Sequence, residues 1–221
     1  MGEIKVHGFL YYRVAPGSRT WEERKKVHEA VEAAQGFPGV VALYAYSLVG
    51  LRAATELGFW LATEDVQAYQ KVGGRFLQTN MELISSLWGL VRPSQYTGQS
   101  GISVEVPGER KRYLVVYPFT KTHDWYQLSA DDRRTIMKDH ARVGHSFKEI
   151  EQVLVYSTGI ADWEFVVGYE TDDLQLFSEL VMALRSTAVR PYTLSDTPIF
   201  TGRYGSLKDV LDEVYGNEDL Q

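Results

Sequence analysis

The chain has 221 residues and no cysteine, which excludes disulfides, thiolate metal sites, a cysteine nucleophile and thioether-linked cofactors. At roughly 150 residues per domain the length allows one large domain or two small ones, and 44% apolar with 24% charged residues is globular composition. A net charge of −6 without a basic run argues against a nucleic-acid partner, the longest apolar run (Val40 to Tyr46) is far short of a membrane helix, and Glu3, Lys5 and the Glu22–Lys26 charge cluster argue against a signal peptide, so a cytoplasmic, soluble protein is expected.

Ile4, Val6, Leu10, Tyr12 and Val14 alternate with Lys5, His7 and Arg13, which predicts a strand over 4–14 with unlike faces. Pro16-Gly17-Ser18 breaks it, and Thr20 with Glu23 forms a capping box for a helix to about Gln35, ended by Gly36 and Pro38. Strands are predicted over Val40–Leu48 and Glu56–Ala62, then a long helix capped at Thr63 and running to about Trp88, with Gly73-Gly74 inside it at a cost in stability. Ser94 to Glu109, rich in Gly, Ser and Gln, reads as a connection.

The order then recurs. A strand over Arg112–Tyr117, ended by Pro118, leads to a helix over Ser129–Phe147, strands over Glu151–Tyr156 and Glu164–Tyr169, a helix over Thr171–Leu184 and a strand over Thr197–Gly202. A short helix over Gly205–Tyr215, capped by Ser206, closes the chain. Leu61-Ala62-Thr63-Glu64-Asp65 stands 108 residues before Tyr169-Glu170-Thr171-Asp172-Asp173, with Thr63 and Thr171 as matching helix caps. The expected class is therefore α+β, built by duplication from two ferredoxin-like halves, 1–100 and 101–221.

Phosphate-loop, dinucleotide-binding, HExxH and Gly-x-Ser-x-Gly patterns are absent. Of the five histidines, His140 shares a helical face with Ile136, Val143 and Phe147, which predicts a side chain buried among apolar neighbours. Such a residue is either a core histidine bonded to a carbonyl or an axial ligand to a metal or haem, and Asp139 and Glu149 point elsewhere. Tyr113, Val115 and Tyr117 share one face of their strand, either as aromatic core or as a ligand-facing surface. Gln152 shares a side with Leu154 and Tyr156 and needs partners there or access to water. Trp125-Tyr126 could lie beneath a flat ligand or plug a loop.

Six spaced segments carry a resemblance: Tyr117-Pro118-Phe119-Thr120-Lys121, Asp124 to Ser129, Met137-Lys138-Asp139-His140, Tyr156 to Gly159, Phe165 to Leu174 and Asp196 to Gly202. Together they resemble the chlorite dismutase-like superfamily, haem proteins that include chlorite dismutases and coproheme decarboxylases. The resemblance implies two ferredoxin-like halves forming a dimeric α+β barrel within one chain, and a homo-oligomer, usually a pentamer. It places the proximal iron ligand on His140, the propionate-contacting Tyr-Pro-x-x-Lys motif on Tyr117, Pro118, Phe119, Thr120 and Lys121, a pocket aromatic on Trp125 and the distal residue on Gln152. Chlorite dismutases resemble that distal position with arginine, whereas a coproheme decarboxylase branch has glutamine. Two departures stand out. Ala188 occupies the place of a glutamate that bonds the proximal histidine in chlorite dismutases, and Gly101 and Pro198 replace an arginine and a serine that hold coproheme propionates.

The function these features imply is peroxide-dependent oxidative decarboxylation of iron-coproporphyrin III (coproheme) to haem b, with the porphyrin non-covalently bound as cofactor and substrate. Tyr117 would supply a radical and Lys121 would neutralise a propionate. The alternatives are a chlorite dismutase-like haem peroxidase, which a neutral Gln152 disfavours because arginine better stabilises a leaving anion, and a non-enzymatic haem carrier or sensor.

Overall fold

The computed structural model describes residues 3–94 and 101–216, so part of the expected connection (95–100) lies outside the described residues. β1 (Val6–Val14) has two buried faces rather than one wet and one dry. Leu10, Tyr12 and Val14 pack toward helices, while Phe9 and Tyr11 point to the other side of the sheet. His7, expected on a polar face, is 1% exposed, because its Nδ1 accepts a hydrogen bond from the Trp60 indole at 3.0 Å. α1 (Trp21–Gln35) starts as read, with the Thr20 hydroxyl accepting from the Glu23 amide. β2 (Val40–Ser47) and β3 (Leu57–Thr63) follow.

The long helix to Trp88 does not form. α2 (Val66–Phe76) stops early and β4 (Met81–Leu90) takes the rest, pairing along the whole of β1. Gly73 and Gly74 touch nothing that a β-carbon would meet, so they weaken the helix end without a packing return. The Thr79 hydroxyl then donates to the Phe76 carbonyl at 2.7 Å and closes the last turn. The predicted caps also move by two residues. Asp65 and Asp173 carboxylates accept the first helical amides, while the Thr63 and Thr171 hydroxyls donate to the carbonyls of those aspartates. The shift is the same at both places.

β5 (Tyr113–Lys121) runs through Pro118 instead of ending there, with Pro118 opposite Val166. On its other edge, pairing with β9 (Phe200–Gly205) reaches only Val116, and pairing with β8 (Thr193–Ser195) begins at Thr120. The residue without an N–H therefore sits where that edge has no ladder. α3 (His123–Gln127), α4 (Ala130–Gly144), β6 (Glu151–Tyr156), β7 (Phe165–Thr171), α5 (Leu174–Arg185) and α6 (Leu207–Tyr215) complete the order, so the last long strand starts at Phe200 rather than Thr197.

The strands lie in the order β7-β6-β4-β1-β3-β2-β9-β5, and β5 pairs back onto β7, which closes an antiparallel barrel. The inner face is packed with Phe9, Trp60, Val116, Val153, Val166 and Phe200. Outside, α1, α2 and α6 seal β1–β4 with a second core that includes Leu10, Leu43, Leu61, Val27 and Val31. The fold is a mixed α+β fold around one large antiparallel sheet, and among the described residues no helix is long and apolar enough to cross a membrane.

Candidate functional site

Strand register puts the two parts of the barrel into correspondence. Val6 pairs with Thr63 and Tyr113 pairs with Thr171, so Leu10 and Leu61 in the first correspond to Tyr117 and Tyr169 in the second. Leu43 lies opposite Leu61, as Gln152 lies opposite Tyr169. Three leucines under one pair of helices thus become two tyrosines and a glutamine under the other. The covering helices differ in the same sense. α1 buries Val27, Ala30, Val31 and Ala34, whereas α4 has no fully buried residue and leans mainly on α5. The layer between β5–β6–β7 and the helices α4 and α5 keeps an apolar cluster around Val167, Tyr169 and Leu180, but Tyr117, Tyr169 and Gln152 bring polar groups into it and α4 does not seal it.

His140 is accordingly half-buried, not sunk among Ile136, Val143 and Phe147 as its helical spacing predicts, because α4 does not press that face onto the sheet. Its Nδ1 lies 3.3 Å from the Thr187 hydroxyl. Burial, with the Lys121 ammonium nearby, lowers its pKa to about 4, so the imidazole is neutral at physiological pH. Lys121 extends over the rings of Trp125 (4.8 Å) and Phe119 (5.6 Å). Burial brings the Lys121 pKa down to about 8 despite the Glu164 carboxylate, leaving it a cation at neutral pH.

Tyr117 stacks on Tyr169 with ring centroids 6.1 Å apart, which brings the two phenols together. Burial pushes the Tyr117 phenol well above its ordinary value. Beside it opens a cleft of about 160 Å³ lined by Tyr117, Phe177, Val181, Arg185, Asp196 and Ile199. Asp196 pairs with both Arg185 (3.2 Å) and Arg190 (2.6 Å), so two cations share one anion at the rim and one positive charge is left over. Gln152 is fixed through its backbone, with its N–H donating to Ser103 Oγ and its carbonyl accepting from the Ser103 N–H, each at 2.8 Å.

Tyr117, Phe119, Lys121 and Gln152 share the sheet face beneath α4 and α5, and Trp125 and His140 border it. Pro118 and Thr120 alternate to the opposite face of β5, so the pleat separates them from this set. Tyr169, Thr187 and the Arg185–Asp196–Arg190 cluster were not singled out by sequence reasoning. Tyr169 was legible in principle, since it opens the repeated segment at the position of Leu61, but the arginine cluster depends on tertiary approach. Among the described residues no three His, Asp or Glu side chains come together as a metal site. An iron held at His140 would need its remaining ligands from a ring, and an unsealed layer bordered by aromatics and cations fits a carboxylated porphyrin.

A closed antiparallel barrel with one such layer defines a class, and the comparisons agree with it. The chlorite dismutase family matches residues 19–205, so the chain belongs to that family. It is 28% identical over 216 residues to the coproheme decarboxylase of Mycolicibacterium smegmatis, covering 94% of this chain and 93% of that one. It is 30% identical over 97 residues to the coproheme decarboxylase of Thermus thermophilus, covering 42% and 39% of the two chains. A solved chlorite dismutase variant from Candidatus Nitrospira defluvii superposes with a TM-score of 0.83 at 21% identity, over 96% of this chain and 95% of that one.

Proposed function

We propose that this protein is a haem-dependent oxidoreductase that uses hydrogen peroxide to decarboxylate two propionates of coproheme, giving haem b. The observation that carries the reading is the replacement of Leu10, Leu61 and Leu43 by Tyr117, Tyr169 and Gln152 under a helix that leaves the layer unsealed. The full-length relationship to a coproheme decarboxylase supports it. In this reading residues 1–100 and 101–221 are two ferredoxin-like halves, only the second keeps the porphyrin site, and the chain works as a cytoplasmic homo-oligomer, a pentamer.

His140 would hold the iron through its imidazole, Trp125 and Phe119 would supply aromatic surface for the porphyrin, and Gln152 would offer a neutral amide to the incoming oxidant. Bound iron porphyrin would supply one-electron oxidising power from peroxide. Tyr117 would give up its electron and its phenolic proton together, because burial disfavours a free phenolate, with the Tyr169 ring stacked beside it. The Tyr117 radical would then take a hydrogen atom from the β-carbon of a propionate. Loss of CO2 and a second electron leaves the vinyl group, and one peroxide takes up the two electrons of each propionate, becoming water. Lys121 would neutralise one carboxylate, and Arg185, which lines the cleft beside Tyr117 and shares Asp196 with Arg190, would offer a place for another.

Loading the chain with coproheme anaerobically, adding stoichiometric peroxide and weighing the porphyrin tests this. Loss of two CO2 per ring is expected, and an unchanged porphyrin in a fully loaded protein removes the reading. The chlorite dismutase fold match keeps chlorite dismutation as the second reading. Oxygen release from chlorite with sustained turnover would favour it.

A further inference from the structure

Thr187 is 7% exposed, and its hydroxyl donates to the Leu184 carbonyl, one turn back in α5, at 2.7 Å. A carbonyl can only accept, so the single hydroxyl proton is committed there. The remaining contact, with His140 Nδ1 at 3.3 Å, can then only be one in which the imidazole donates. The first half of the barrel supports this assignment independently. Thr79, 108 residues earlier, makes the same 2.7 Å bond to the Phe76 carbonyl, and its oxygen accepts from a nitrogen, the Met81 amide, at 3.3 Å. A helix-ending threonine with its proton spent on the helix and its lone pair offered outward is therefore a repeated device. In the second half the recipient is a side chain on a different helix.

We infer that Thr187 is a positioning residue that holds His140 as the Nδ1–H tautomer and fixes its ring, presenting the Nε2 lone pair to the iron. The inference rests on the proposed role of His140 and adds the group that orients it. It also gives Ala188 a consequence. The anionic partner expected one residue along is missing, and a neutral hydroxyl stands in. A neutral acceptor pulls the imidazole less toward imidazolate than a carboxylate does, so His140 is a weaker electron donor to iron than a carboxylate-bonded histidine.

The test begins without any porphyrin. In the unloaded chain labelled with 15N-histidine, His140 should show a protonated Nδ1 and a bare Nε2, the tautomer opposite to the one free histidine prefers. Thr187→Val should return it toward Nε2–H, and Thr187→Ser should keep Nδ1–H. With ferric coproheme bound, Thr187→Val should weaken affinity by about 10- to 100-fold and shift the iron–histidine stretching band, with Thr187→Ser close to wild type. An Nε2–H tautomer in the wild-type chain overturns the inference, whether or not the valine variant folds. So does a Thr187→Val complex that matches wild type in affinity and band position while His140→Ala loses the histidine band. If His140→Ala keeps that band, the assignment of the iron ligand has failed instead.

Discussion

Burial holds the Tyr117 phenol protonated well above its ordinary range, so its proton leaves with its electron and its usefulness depends on the hydroxyl. Tyr117→Phe keeps the ring volume and the stack on Tyr169 and should change coproheme affinity by less than about threefold. Conversion to haem b should fall by about 100-fold or more, because phenylalanine offers no phenolic proton to lose and is much harder to oxidise. Product analysis after single additions of peroxide checks both points, and near-normal conversion would return Tyr117 to the aromatic core. His7 makes a different residue-scale prediction. Its pKa falls to about 4 in the folded chain, chiefly through burial, while the unfolded chain protonates it near 6.5. The folded state therefore binds fewer protons between these values, and this contribution to stability is complete above pH 6.5 and is lost as pH falls toward 4. The loss is on the order of 3 kcal/mol. His7→Asn keeps an acceptor for the Trp60 indole without the titration, so its urea midpoint should fall less steeply over that range than the wild-type midpoint.

Between elements the contrast is α1 against α4. Thr20 with Glu23 is a plain capping signal for α1, and in the structure the Ser129 hydroxyl likewise accepts from the Asp132 amide at the start of α4, so both helices begin close to where the sequence places them. What the sequence does not reveal is how hard each helix presses on the sheet. Periodicity reports which side of α4 is apolar, but not that tyrosines and a glutamine beneath it leave the layer unsealed. Hydrogen exchange should therefore find α4 amides opening at least tenfold faster than α1 amides in the unloaded chain, and coproheme should slow α4 selectively. Equal protection in both helices, unchanged by porphyrin, would contradict an open layer. The same limit explains β4. Its residues carry enough helical spacing to continue α2, and only the ladder offered by β1, distant in sequence, decides for a strand. Capping shows the converse. The Asp65 and Asp173 carboxylates, not the neighbouring threonines, accept the helix amides, a choice of two residues that local patterns do not resolve.

For the whole molecule, the join between the two parts of the barrel is as telling as either part. Arg110, from the connecting segment, lies over the rings of Tyr44 and Trp60 on β2 and β3, with its guanidinium 3.1 Å from Glu170 on β7. Both side chains are 1% exposed, and the facing nitrogen and oxygen are close without being aligned as a hydrogen bond. Burial outweighs the cation and raises the Glu170 pKa to about 7. A carboxyl raised in the folded state contributes stability that is fully present below its unfolded value and is lost as pH rises through 7. Arg110→Met removes the compensating charge, so it should cost about 3–5 kcal/mol at pH 8 and clearly less at pH 5, where Glu170 is protonated; thermal unfolding at the two pH values measures this. The central claim concerns the other side of that barrel wall, where the layer under α4 is kept open for an iron porphyrin held by His140. Its most direct test is the axial ligation of the ferric coproheme complex, read by electron paramagnetic resonance in the wild-type chain and in His140→Ala. The wild-type complex should show one histidine nitrogen on the iron, and His140→Ala should lose that nitrogen and bind at least tenfold more weakly; a histidine-ligated iron that survives His140→Ala would contradict it.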